Sequence, residues 1–271
     1  MKLGISHTLR HASPEEWAQK HHALGLEAVV FPVNYTASTD KIDSYCRAAG
    51  EYGLTISEVG AWSNPLSRNP AEREKARNYC IRQLELAEYV GAACCVNISG
   101  TPGEVWDGSY AENYAPETYD EIVLSVREII DAVKPKKTCY TLEPMPHMLP
   151  DSPESCLELI RDIDRSAFAV HLDVVNMLTS PRIYFDNHAF IDKCFSLLSP
   201  HIRSCHIKDA ILEHKLTVLI RETACGTGGV DLAHYLSMAA KQDLPVIIEH
   251  LSSEEEYYDA VRYIKSLSIV S

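Results

Sequence analysis

The chain has 271 residues, 46% hydrophobic and 23% charged, a composition that excludes an extended disordered chain and suits a soluble protein with a large core. Its net charge of −13 at pH 7 repels phosphate backbones, and Lys and Arg form no block that could track a nucleic acid, so no nucleic-acid partner is expected. Nowhere do ~18 uncharged apolar residues run together, and the opening MKLGISHTLR is too polar for a signal peptide, so neither a membrane partner nor export is expected.

Short β-branched runs alternate with longer amphipathic segments. A strand over 3–6 is followed by a helix over 14–24, opened by Ser13-Pro14-Glu15-Glu16 and closed by Gly25. Strand 28–31 leads to helix 39–52, closed by Gly53. Strand 55–59 leads to helix 70–90, which Asn69 caps and Gly91 ends. Strand 94–98 runs into a long loop over 99–115 before helix 116–133. Strand 138–142 precedes helix 153–163, opened by Ser152-Pro153-Glu154, and strand 168–172 precedes helix 188–198. Strand 202–206, a second long loop over 210–230, helix 232–241, strand 246–248 and helix 253–264 complete the series.

Strands separated by helices pair in parallel through right-handed crossovers. Eight such units of about 34 residues predict an α/β (β/α)8 TIM barrel, one domain over 1–271. A doubly wound open sheet would want a glycine-rich phosphate loop after its first strand, where this chain reads SHTLRHASP without a glycine. A barrel places its chemistry at the C-terminal strand ends, and the loops 99–115 and 210–230 are candidate lids.

The nine cysteines are odd in number and contain no C-x-x-C pair. With Cys94, Cys95, Cys139 and Cys205 in apolar runs, they predict buried free thiols in a reducing cytoplasm.

The ends of the four late strands carry Glu143, Asp173, His206 and Glu249. A lone carboxylate after an apolar run is more often a cap or a surface group, and a lone histidine more often a satisfied polar residue. Together in one barrel mouth, three carboxylates would repel strongly without a cation among them. One divalent metal ion resolves the repulsion. The oxygen-rich, thiolate-free set favours Mn²⁺ first, with Mg²⁺, Co²⁺ and Zn²⁺ also suitable.

The runs LEPMPH, HLDVVN, CHIKD and IIEHL, with the segment CGTGGVDL, resemble the sugar phosphate isomerase/epimerase superfamily of xylose isomerase-like TIM barrels, which includes ketose 3-epimerases and inosose isomerases. The resemblance spans nearly the whole chain. It implies a metal held by Glu143, Asp173, His206 and Glu249, with Glu143 and Glu249 as an acid/base pair acting through an enediolate of a small carbohydrate substrate. Related barrels are often dimers or tetramers, so a homo-oligomer is an open expectation. The chain departs from the ketose 3-epimerase pattern at Leu149, Asn176 and Leu212, where those enzymes carry Glu, His and Arg.

Isomerisation or epimerisation of a small sugar or sugar derivative is therefore the leading expectation, with a metal-dependent lyase or decarboxylase on a 3-oxo sugar derivative as the alternative. An AP-endonuclease-like hydrolase would share the barrel but want zinc ions and a basic surface. Trp62, His147, Asn176, Lys208 and His7 are candidate substrate contacts. Packing alone could explain Trp62, a pairing with Asp209 could explain Lys208, and support of a neighbouring ligand could explain His147 and His250. Gly226-Thr227-Gly228-Gly229 offers backbone N–H groups to a phosphate, but a tight turn into a capped helix accounts for the glycines as well.

Overall fold

The computed structural model describes residues 1–267. In chain order its strands are β1 (Lys2–Ile5), β2 (Ala28–Val30), β3 (Thr55–Gly60), β4 (Cys94–Asn97), β5 (Cys139–Leu142), β6 (Phe168–Asp173), β7 (Ile202–Ile207), a hairpin of β8 (Asp209–Leu212) and β9 (Ile220–Thr223), and β10 (Pro245–Ile248). The helices are α1 (Pro14–Ala23), α2 (Thr39–Glu51), α3 (Pro70–Val90), α4 (Pro116–Val133), α5 (Pro153–Ile163), α6 (Pro181–Phe185), α7 (Asn187–Leu198), α8 (Leu232–Ala240) and α9 (Glu254–Ser266).

Local chemistry sets most of these boundaries. Ser13, Ser152 and Ser253 accept backbone N–H groups at the starts of α1, α5 and α9, and Asn69 does the same for α3. Gly25, Gly53 and Gly91 adopt positive φ where α1, α2 and α3 end. No helix among the described residues is long and apolar enough to cross a membrane.

Eight parallel strands pair in the order β1-β10-β7-β6-β5-β4-β3-β2 and form a nearly closed TIM barrel. At the seam the Glu27 N–H donates to the Leu3 carbonyl at 2.9 Å. Gly4 permits this approach, since a Cβ there would meet the Ala28 carbonyl oxygen at 2.5 Å. Alternation along β6 sends Val170 and Leu172 into the apolar layer with Phe195, Leu198 and Leu236, leaving His171 and Asp173 to the interior. Each large side chain buried there contributes roughly 1.5–3 kcal/mol, so Phe195→Ala is expected to cost about 3–5 kcal/mol.

Two register irregularities shape the interior. β3 shifts against β2, so that Val29 faces Ile56 but Val30 faces Glu58; β7 shifts against β6, so that Val170 faces Ile202 but His171 faces Ser204. Such shifts re-aim side chains. Ser57 and Glu58, adjacent in sequence, consequently both reach Ser204 inside the barrel, at 2.9 and 3.1 Å.

The segment 210–230, expected as an open loop, instead contributes most of the hairpin, with Asp209 opposite Thr223 and Leu212 opposite Ile220. Its connection, EHKLTVL, contains none of the Gly, Asn, Asp or Pro residues that announce a turn. The short α6 was likewise unannounced, being a single capped turn and a half after Ser180.

Candidate functional site

Glu143 leaves the end of β5, Asp173 ends β6, His206 lies near the end of β7 and Glu249 follows β10. Parallel register brings them to nearly one height: Asp173 and Ile247 both stand opposite His206, and Glu249 follows Ile247 by two positions. Their ligand atoms lie within 4.8 Å of one another, and none of the four residues is more than 4% exposed. His206 Nδ1 is 2.7 Å from Glu249 Oε2 and 3.2 Å from Glu143 Oε1.

Lys208 shares this cluster. Its Nζ stands 2.6 Å from Glu249 Oε1, 2.8 Å from Asp173 Oδ2 and 2.9 Å from Glu222 Oε1 on β9. Asp209 is not its partner: that carboxylate accepts the N–H groups of Gly226, Gly228 and Val230 at 3.1, 2.9 and 3.0 Å. Those amides of the glycine-rich segment are thus turned onto an internal carboxylate, which favours the tight-turn reading over phosphate binding.

Burial and charge oppose one another throughout. Burial pushes Asp173 up to about 7 despite the pull of Lys208. Burial is likewise the largest influence on Glu143 and Glu249 and works against their charge, yet His206 together with His171 at Glu143, and together with Lys208 and His250 at Glu249, holds both below the usual carboxylate range. On His206 itself burial is overcome by Glu249, Glu143 and Glu58, which hold the ring well above its ordinary pKa. On Lys208 it is overcome by Asp173 and Glu249.

Above the cluster lies a cavity of about 450 Å³ lined by Trp62, Ile98, Trp106, Asn176, His147 and His250, among others. Trp62 folds over Gly60, where a Cβ would strike the indole at 2.5 Å, and stays 42% exposed at the mouth. Asn176 Nδ2 donates to Glu143 Oε1 at 3.1 Å, and its backbone N–H donates to Asp173 Oδ1 at 3.2 Å. His147 Nε2 is engaged by the Asp107 carbonyl at 2.7 Å, and Asn113 donates to the His147 carbonyl at 2.8 Å. These two bonds dock the 99–115 loop on the segment after β5. His250 is bound to Glu222 Oε2 at 2.8 Å. His7 faces the first turns of α9, 3.5 Å from Glu254 and stacked on Tyr257, and does not line the cavity.

Three participants carried no recognised sequence signal. Glu222 arrives on the unannounced hairpin. His171, fully buried, lies edge-on to His206 with centroids 4.0 Å apart, and neither of its ring nitrogens has a hydrogen-bond partner. Glu58 sits inside β3, its Oε2 3.3 Å from His206 Nε2. A carboxylate within the strand TISEVG was a legible anomaly, but the bulge that turns it inward was not.

The donor set fits a divalent ion. Glu58, Glu143, Asp173, Glu222 and Glu249 outnumber Lys208, His206, His250 and His171 even with every base protonated, and the buried Asp173 Oδ2 has only the Lys208 ammonium, which it shares with Glu249 and Glu222, to balance it. Oxygen donors with one imidazole suit Mn²⁺, Mg²⁺ or Co²⁺, and Zn²⁺ can also be held.

None of the curated proteins matches the sequence. Among solved structures, the probable 3-DHS dehydratase AsbF of Bacillus anthracis superposes with a TM-score of 0.75 at 16% identity, covering 98% of each chain. D-psicose 3-epimerase of Clostridium cellulolyticum H10, solved with D-tagatose, gives 0.71 at 14% identity over 98% of this chain and 99% of that one. A xylose isomerase-like TIM barrel protein of Mycobacterium smegmatis, solved with magnesium, gives 0.67 at 18% identity over 94% and 89%. At these identities the likeness is one of fold. Residues 18–267 match the family model for the xylose isomerase-like TIM barrel, and the chain belongs to that family.

Proposed function

We propose that the protein is a divalent-metal-dependent isomerase or epimerase of a small sugar or sugar derivative. The observation that carries this reading is the convergence of Glu143, Asp173, His206 and Glu249 beneath a cavity walled by Trp62 and Trp106. Those four side chains would hold one ion, Mn²⁺ by preference, which when bound supplies an electrophile that acidifies the C–H beside a carbonyl. Glu143 or Glu249 takes that proton, leaving an enediolate on the substrate. Return of the proton by the same carboxylate to the adjacent carbon gives an isomer; return by the other carboxylate from the opposite face gives an epimer. Lys208 keeps Glu249 and Asp173 in place, and the tryptophans offer apolar surface to a sugar face while limiting water. The fold shared with a ketose 3-epimerase supports this reading, and nine free thiols suit a cytoplasmic setting.

Lys208 favours one second reading. An ammonium 2.6 Å from Glu249 could protonate a leaving hydroxyl while a carboxylate removes the neighbouring C–H proton, so that C=C forms, C–O breaks and water departs. That elimination is a lyase reaction, and a dehydratase is among the proteins sharing the fold. Incubation of the Mn²⁺-loaded protein with a panel of ketoses, inososes and 3-oxo sugar acids in ²H₂O tests both. Deuterium in a product isomer supports the first reading; a product lighter by water supports the second; no turnover with any member and no Mn²⁺ binding would sink both.

A further inference from the structure

We infer that Glu58 is a positioning residue that sets the tautomer and orientation of His206 from the opposite wall of the barrel, an inference that rests on the metal-binding reading above. β3 and β7 lie four places apart in the ring of eight strands, so Glu58 spans the interior to reach His206. A carboxylate 2% exposed inside a barrel costs several kcal/mol unless it is met by donors. It is met: Ser204 Oγ donates to Oε1 at 3.1 Å, and His206 Nε2 stands 3.3 Å from Oε2.

The two nitrogens of His206 therefore face different partners. Nδ1 looks up to Glu249 and Glu143 at 2.7 and 3.2 Å, and Nε2 looks down to Glu58. A neutral imidazole has one N–H and one lone pair. With the N–H on Nε2, Glu58 accepts it and the Nδ1 lone pair points at the other ligands. The alternative tautomer would aim the Nε2 lone pair at a buried carboxylate and place a proton where a cation must bind. His171, edge-on at 4.0 Å and 76° to the His206 ring, limits rotation about the remaining axis. A carboxylate behind a ligating histidine typically changes metal affinity by about 10–100-fold, and the geometry here has that form.

The test uses the full chain and measures Mn²⁺ affinity by calorimetry, with the His206 tautomer read by ¹⁵N NMR in the Mg²⁺-loaded protein. E58A is expected to lose about 10- to 100-fold in Mn²⁺ affinity. E58Q, whose amide oxygen still accepts the Nε2–H, should recover most of the loss and keep the Nε2–H tautomer. Wild-type affinity in a folded E58A overturns the role of Glu58 alone. Should E58A fail to fold, the wild-type spectrum decides, since a proton on Nδ1 with Mg²⁺ bound overturns the inference. Absence of Mn²⁺ binding by the wild type overturns the metal reading and this inference with it.

Discussion

The two halves of the barrel mouth are built on opposite principles. At the ends of β5, β6, β7 and β10 the side chains are ionic: Glu143, Asp173, His206, Lys208 and Glu249 crowd together, all buried. At the ends of β3 and β4 they are neutral. There Asn97 donates to the Ser63 carbonyl at 3.1 Å and accepts the Ser63 N–H at 3.2 Å, and the tryptophan beside them presents carbon to the cavity. The neutral half satisfies itself by hydrogen bonds and has nothing left to offer an ion. The ionic half carries an excess of carboxylates that its own lysine and histidines do not balance, so one half reads as reactive and the other as wall.

Substitutions can break this contrast. The largest effect is expected from Glu143→Gln and Glu249→Gln, each losing about 10³-fold or more in turnover because acid/base function and a charged ligand vanish together; normal kcat in either variant removes the assigned roles. Next, Lys208→Met leaves Asp173 and Glu249 buried without their ammonium, which should cost about 3–5 kcal/mol in urea melts with chelator present. Added Mn²⁺ should restore part of that stability, and a loss indifferent to Mn²⁺ would mean that the lysine and the ion do not serve the same carboxylates. Asn97→Ala on the neutral side should cost about 1–3 kcal/mol, equally with chelator or Mn²⁺, since only hydrogen bonds are lost. The smallest effect is expected from Trp62→Ala: KM up by about 10-fold with Mn²⁺ affinity unchanged, because the indole lines the cavity without touching the ligands. A change in Mn²⁺ affinity there would blur the two halves.

The fold was legible because its signals are local. Ser13, Asn69 and Ser152 cap the helices they precede, and Gly25, Gly53 and Gly91 take the left-handed conformation expected where three helices end. The exception was the hairpin of Asp209–Leu212 and Ile220–Thr223, whose turn lacks the residues that mark turns. Glu222 on that hairpin was lost to view for the same reason, although it binds Lys208 and His250. His7, placed at a strand end like the other candidates, is instead drawn to Glu254 and Tyr257 on α9.

What the sequence determined by itself was the alternation of strands and helices and the identity of the four strand-end ligand types, because periodicity, caps and chain order are properties of neighbouring residues. What only the tertiary structure decided was which polar groups share one interior. A bulge in β3 turns Glu58 toward a histidine nearly 150 residues away, and the glycine-rich segment spends its amides on Asp209. Such pairings depend on register and barrel closure, where a shift of one residue moves a side chain from one face of a strand to the other.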